Sequence, residues 1–194
     1  MKRWLCFLLL ACSICAAQDA APGLQSVSGA KDLEFFAEGG KGASGSTSST
    51  GAFDAGVRYG WVLTDEYLPS LLKGRFEYAV DFIPVYILSQ RTDMAYGVSF
   101  DPFMLKWNFS SSRHVIPFAE LGGGVLFTNN DAPPGTSQIN FTPQGGFGVH
   151  VPFGSHEASL ALKYIHISNA GLSRPNPGIN TVQFRLGIGR MRKH

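Results

Sequence analysis

Cysteine is nearly absent from this chain, and the three that occur, Cys6, Cys12 and Cys15, all fall within the first seventeen residues. A chain trimmed after Ala17 has none, which excludes a disulfide framework and any cysteine-ligated metal from what remains. Charge is scarce too. Asp, Glu, Lys and Arg make up 15% of the residues, against roughly a quarter in ordinary soluble domains. A long apolar run is also missing: Trp4 to Ala11, continuing weakly to Ala17, is well short of the roughly 20 residues of a spanning helix. Preceded by Lys2 and Arg3 and closed by the small residues Cys15-Ala16-Ala17 before Gln18, it reads as a secretory signal peptide over 1–17. Lipoprotein processing at Cys12 is the alternative, and both predict export. Loss of Lys2 and Arg3 lowers the basic residues from 16 to 14, equal to the 14 acids. Such a neutral chain has no electrostatic footprint for nucleic acid.

Glycine and phenylalanine are plentiful, 23 and 15 residues. From Asp32 onward the recurring signal is alternation with period two, with no helical periodicity beside it. Phe53, Ala55, Val57, Tyr59, Trp61 and Leu63 share one face, opposite Asp54, Gly56, Arg58 and Gly60. Phe76, Tyr78, Val80, Phe82, Pro84 and Tyr86 repeat the pattern, opposite Arg75, Glu77 and Asp81. Ile139, Phe141, Phe147, Val149, Val151 and Phe153 alternate with Asn140, Thr142, Gln144, Gly146, Gly148 and His150. Eight strands are expected, near 32–39, 52–64, 74–89, 94–108, 114–128, 137–153, 156–168 and 179–190, most of them at least the roughly 9 to 11 residues that cross a bilayer when tilted.

The fold class expected is therefore all-β, an eight-stranded antiparallel transmembrane β-barrel over 32–194, joined by a linker at 18–31 to the leader. A soluble lipocalin-like barrel would show the same alternation with its apolar face turned inward. The aromatic apolar face and the small polar residues opposite it favour the membrane form. A bulge is expected at Asp101-Pro102-Phe103, where the apolar register changes face, and close packing at Gly122-Gly123-Gly124. Turn chemistry marks Gly40 to Gly51, Asn129 to Thr136 and Phe153-Gly154-Ser155. With both termini periplasmic, most long connections face outward from the cell. Thr64 to Lys73, with Leu68, Leu71 and Leu72, is a long connection on the inner side, and Arg190 to His194 reads as a short tail after the last strand.

In the seventh strand Ala158, Leu160, Leu162 and Tyr164 share a face that continues into His166 and Ser168, opposite Glu157, Ser159, Ala161 and Lys163. In the eighth, Asn180 shares its face with Val182, Phe184, Leu186 and Ile188. Three polar groups on the lipid side of neighbouring strands are costly unless they pair. His166 and Ser168, two apart on a strand, have Cα atoms roughly 6.5 to 7 Å apart with side chains on one side. That is within reach of the imidazole–hydroxyl contact that makes a serine nucleophilic. A His-x-Ser alone is a weak signal, and by itself it favours an interfacial histidine beside a turn-forming serine over catalysis.

The stretch His166-Ile-Ser-Asn-Ala-Gly-Leu-Ser-Arg-Pro-Asn-Pro-Gly-Ile179 resembles the C-terminal signature of the outer-membrane lipid A 3-O-deacylase family. A weaker likeness extends to Pro117-Phe118-Ala119-Glu120-Leu121-Gly122 and to the eight-strand layout. The resemblance implies an ester hydrolase of the Gram-negative outer membrane acting on lipid A. It implies Ser168 as nucleophile, His166 as its base and Asn169 as an oxyanion donor through its amide; shaping an extracellular turn is the other reading of Asn169. The family's third triad member is a glutamate where this chain has Asn180, and no acid follows Glu157. Asparagine can orient a histidine but supplies no charge to the imidazolium. A catalytically silent barrel with a structural or adhesive role is thus the alternative, and another outer-membrane lipid enzyme a third reading. No cofactor is implied. No phosphate loop or metal-ligand spacing is present, and His114, His150, His156 and His194 read as structural or solvated.

Overall fold

The computed structural model describes residues 27–43, 45, 47–110 and 114–192; the expected leader and most of the linker lie outside them. The strands are β1 (Lys31–Gly42), β2 (Gly51–Val62), β3 (Gly74–Ser89), β4 (Met94–Phe109), β5 (Ile116–Thr128), β6 (Ile139–Phe141), β7 (Gln144–Phe153), β8 (His156–Ile167) and β9 (Ile179–Arg192). Successive strands pair antiparallel except that β6 and β7 both pair with β5, and β1 pairs with β9 to close the sheet. The result is an eight-stranded barrel in which β6 and β7 are two halves of the sixth strand.

That strand was expected to run unbroken, and the break falls at Thr142 and Pro143. A proline has no N–H to give to a central ladder. The Pro143 carbonyl instead accepts the N–H of His166 at 2.9 Å, while Thr142 turns inward and its hydroxyl meets Asp101 Oδ1 at 3.2 Å.

The direction of the two faces separates the membrane barrel from the lipocalin-like one. Leu33, Phe35, Phe53, Phe82, Phe103, Phe147, Leu162 and Phe184 are exposed on the outside. Inside lie nine carboxylates (Asp32, Glu34, Glu38, Asp54, Glu77, Asp81, Asp101, Glu120 and Glu157) with Arg58, Lys106, Lys163 and Arg185, all buried. Register makes several of the ion pairs, because Arg58 lies opposite Asp81, Lys106 opposite Glu77 and Arg185 opposite Glu38. Arg58 grips Asp81 with both arms at 2.7 and 2.9 Å and reaches Glu120 at 2.6 Å. Lys163 bonds Glu38 at 3.0 Å and Lys106 meets Glu77 at 2.9 Å. An apolar outer wall around a filled polar interior is the arrangement of an outer-membrane barrel.

The expected bulge is present, with the β4/β5 register shifting between Phe100 and Phe103. Close packing at the glycines is equally direct: a Cβ on Gly122 or Gly124 would lie 2.0 Å from the carbonyl oxygen of Phe103 or Phe100. Two expectations are corrected. Tyr86 points inward, 3% exposed, because Pro84 and Val85 both face out and the register against β4 slips between Ile83 and Tyr86. Arg190 to Arg192 is strand rather than tail, since Leu33 and Lys31 of β1 pair with Arg190 and Arg192. The Thr64–Lys73 connection contains a short 3-10 turn, Ser70–Leu72, with Leu71 fully out in solvent or lipid. Glu66 there lies 2.5 Å from Lys73, whose hydrogen bond holds its carboxyl below the usual range.

Candidate active site

The end of the barrel opposite the termini brings β8 and β9 together at His166 and Asn180. Both positions continue the outward parity, and they stand directly opposite each other across the ladder. His166 Nδ1 and Asn180 Oδ1 are 2.7 Å apart. A carboxamide oxygen only accepts, so Nδ1 is the donor in this contact and Nε2 is the ring nitrogen it does not engage. Both side chains are half-buried, and two of the three costly outward polar groups, His166 and Asn180, pair within the protein.

Ser168 stands one residue beyond β8 and is 9% exposed. It is fixed by a two-way backbone bridge to Phe141 of β6, its N–H donating at 3.1 Å and its carbonyl accepting at 2.7 Å. With the Pro143 carbonyl holding the His166 N–H, the broken sixth strand clamps the His-x-Ser segment on both sides of Ile167. The Ser168 hydroxyl and the imidazole are not hydrogen-bonded to each other; such contacts are often long before substrate binds.

Asn169 is fully buried and ties the following turn together. Its side-chain oxygen accepts the Gly171 N–H at 2.9 Å, and its amide group donates to the Ser173 carbonyl at 3.2 Å. Ala170 takes a φ of +52° in that turn, a region costly for any residue with a Cβ. The Asn169 backbone N–H has only a long contact, 3.4 Å, to Asn176 Oδ1. The side chain thus serves the turn, while the main-chain N–H next to Ser168 is only weakly engaged.

Gly178, two residues before Asn180, packs against the histidine. Its φ is +67°, and a Cβ there would stand 2.8 Å from His166 Cε1. The Gly178 carbonyl accepts from Thr47 Oγ1 at 3.1 Å, and the Asn180 carbonyl accepts the Ala43 N–H at 2.7 Å. The first connection therefore braces the last. Thr47 carried no signal beyond its place in a Gly/Ser/Thr tract. Among the described residues no cluster of His, Cys, Asp or Glu could hold a metal ion, and the small internal cavity lined by Glu38, Asp54, Tyr86, Asp101 and Gln144 lies inside the wall.

Comparison with known proteins agrees with this architecture. The chain superposes on a solved structure described as the crystal structure of the outer membrane enzyme PagL, with a TM-score of 0.60 and 22% identity, covering 79% of this chain and 97% of that one. No curated protein matches it. The sequence model of the family described as lipid A 3-O-deacylase (PagL) matches residues 55–189, which include the broken sixth strand, His166, Ser168 and Asn180. The chain belongs to the PagL family of lipid A 3-O-deacylases.

Proposed function

We propose that this protein is itself a lipid A deacylase, exported to the outer membrane of a Gram-negative bacterium, with Ser168 as nucleophile and His166 as general base. The observation that carries this reading is the 2.7 Å contact of His166 Nδ1 with Asn180 Oδ1, which engages Nδ1 and makes Nε2 the nitrogen that can serve as base, on a side chain two residues from Ser168. An ester carbonyl of an acyl chain is attacked by Ser168 Oγ while Nε2 takes the hydroxyl proton. The tetrahedral oxyanion is met by the main-chain N–H of Asn169, a contact of a kind worth roughly 10²- to 10³-fold in rate. Collapse expels the sugar oxygen, which takes the proton from the imidazolium. Water, activated by the same nitrogen, then attacks the acyl-serine and releases the fatty acid.

Substrate and location support one another. Lipid A occupies the outer leaflet, and His166 and Asn180 face outward from the wall near the rim, on the side from which an ester held in the bilayer would approach. Asn180 favours a second reading, a silent barrel in which replacement of the acid removed activity. The deciding experiment is mass spectrometry of lipid A from a Gram-negative host expressing the wild-type chain or Ser168→Ala, with folding of both verified in the membrane fraction. Loss of one hydroxyacyl mass in the wild type alone is the expected result; unchanged lipid A in both would leave the silent barrel standing.

A further inference from the structure

We infer that the opposite rim of the barrel, where β2, β1 and β9 meet, is a binding site for the phosphate of an anionic phospholipid, built from Lys31, Arg190 and Arg192 beside Trp61. Strand register sets the arrangement. Lys31 stands directly between Trp61 on β2 and Arg192 on β9, and Arg190 is opposite Leu33. The parity is outward: Lys31 and Arg192 are exposed while the intervening Asp32 and Met191 are buried.

Side chains directly opposite across a ladder have Cβ atoms roughly 4.5 to 5.5 Å apart and diagonal neighbours roughly 7 to 8 Å, and like charges so placed repel. Three cations therefore share one small patch of the outer wall. Among the described residues no carboxylate of β1, β2 or β9 relieves them on the outer face, because Asp32, Glu34 and Glu38 of β1 and Asp54 of β2 all point into the barrel and are buried. None of the three cations makes an ion pair among the described residues. The patch calls for an anion from outside, and two guanidinium groups suit the bidentate geometry of a phosphate.

The neighbouring aromatic residues identify the source. Trp61 packs edge-on against Tyr59 with ring centres 4.6 Å apart and stacks on Tyr78 at 5.7 Å, all on the outward face. A girdle of this kind sits at the headgroup level of a bilayer. It sets Lys31 and Arg192 among headgroups of the leaflet at the end bearing the termini, where the anions at hand are phospholipid phosphates.

Tryptophan quenching tests the site. Trp4 lies in the leader, so a chain starting at Gln18 and carrying Trp107→Phe has Trp61 as its one tryptophan. This barrel is folded into phosphatidylcholine vesicles containing either brominated phosphatidylglycerol or brominated phosphatidylcholine. Both leaflets hold the probe, so the result depends neither on insertion direction nor on enzymatic activity. Quenching of Trp61 is expected to show at least a fivefold preference for the anionic lipid, lost in the triple variant K31Q/R190Q/R192Q and unchanged in K41Q at the far rim. Should the triple variant fold poorly, 0.5 M NaCl added to the otherwise wild-type barrel is expected to remove the preference. Equal quenching by the two lipids, or a preference that survives both the triple substitution and salt, would overturn the assignment. So would a preference abolished by millimolar inorganic phosphate at constant ionic strength, which would mark a free-anion site.

Discussion

Polar side chains on the two faces of this barrel wall perform different work, and β8 carries both kinds. Lys163 points inward to Glu38 and Glu120 at 3.0 and 3.6 Å, in a network whose register partners neutralise each other. His166, three residues on, points outward to a neutral partner. Buried ion pairs tolerate removal of one member poorly, because the other is left charged and unpartnered. An outward pair near the rim has solvent and headgroups as a fallback. Inward substitutions should therefore register in stability and outward ones in catalysis.

The largest effect expected on the outward side is Ser168→Ala. It should lower deacylation by at least about 10³-fold with an unchanged unfolding midpoint in urea. Its counterpart inside is Asp81→Asn, which strips the two-armed grip of Arg58 and the 3.1 Å contact with Arg185. About 3 to 5 kcal/mol of folding stability should be lost, while the folded fraction retains wild-type turnover per molecule. If turnover fell with the stability, the two faces would not be separable.

Gly178→Ala tests positioning. The added methyl would meet His166 Cε1 at 2.8 Å, and a misplacement of about 1 Å costs on the order of 10²-fold in rate. Kinetics on detergent-solubilised lipid A should show the loss mainly in kcat. Substitution of the solvent-open Gly135, whose φ of +75° imposes similar backbone strain, is the control and should leave kcat unchanged. In the opposite direction, Asn180→Glu offers the imidazolium a charge as well as an acceptor. A rise of roughly tenfold or more is expected from a triad that is intact but weakened; no change from zero would favour the silent barrel.

The inside–outside contrast also explains what could be read from sequence. Lipid on one side and a filled polar lumen on the other impose period two on each strand, so Phe53 to Leu63 against Asp54 to Gly60 was legible without coordinates. Parity placed His166 and Asn180 on one face, but their direct opposition depends on register, which alternation leaves free. The break at Thr142 was hidden because Pro143 falls at an outward position, where an apolar residue keeps the alternation intact while the ladder is lost. Tyr86 was misread for the complementary reason: two successive outward residues, Pro84 and Val85, shift parity without any polar marker. Arg190 to Arg192 looked like a tail because cations do not suit hydrocarbon, yet at the rim they meet headgroups. Gly178 gave no signal because contact with an imidazole twelve residues away is a property of the folded turn.

The smallest expected effect concerns an outward cation on β1 at the rim that carries the proposed site. Lys41 is exposed on β1 opposite Val182, two positions along β9 from Asn180. Its parity is that of Lys31 at the other end of the same strand, and at this rim the headgroups would be those of lipid A, a phosphorylated disaccharide. A lysine near an anionic lipid surface contributes on the order of 1 kcal/mol, or about fivefold in affinity. Lys41→Met should therefore raise KM for bisphosphorylated lipid A by about that factor, with kcat unchanged and no effect on a dephosphorylated substrate. An equal effect on both substrates would mean that Lys41 acts on the fold of the rim, because only a phosphate contact depends on whether the phosphate is there.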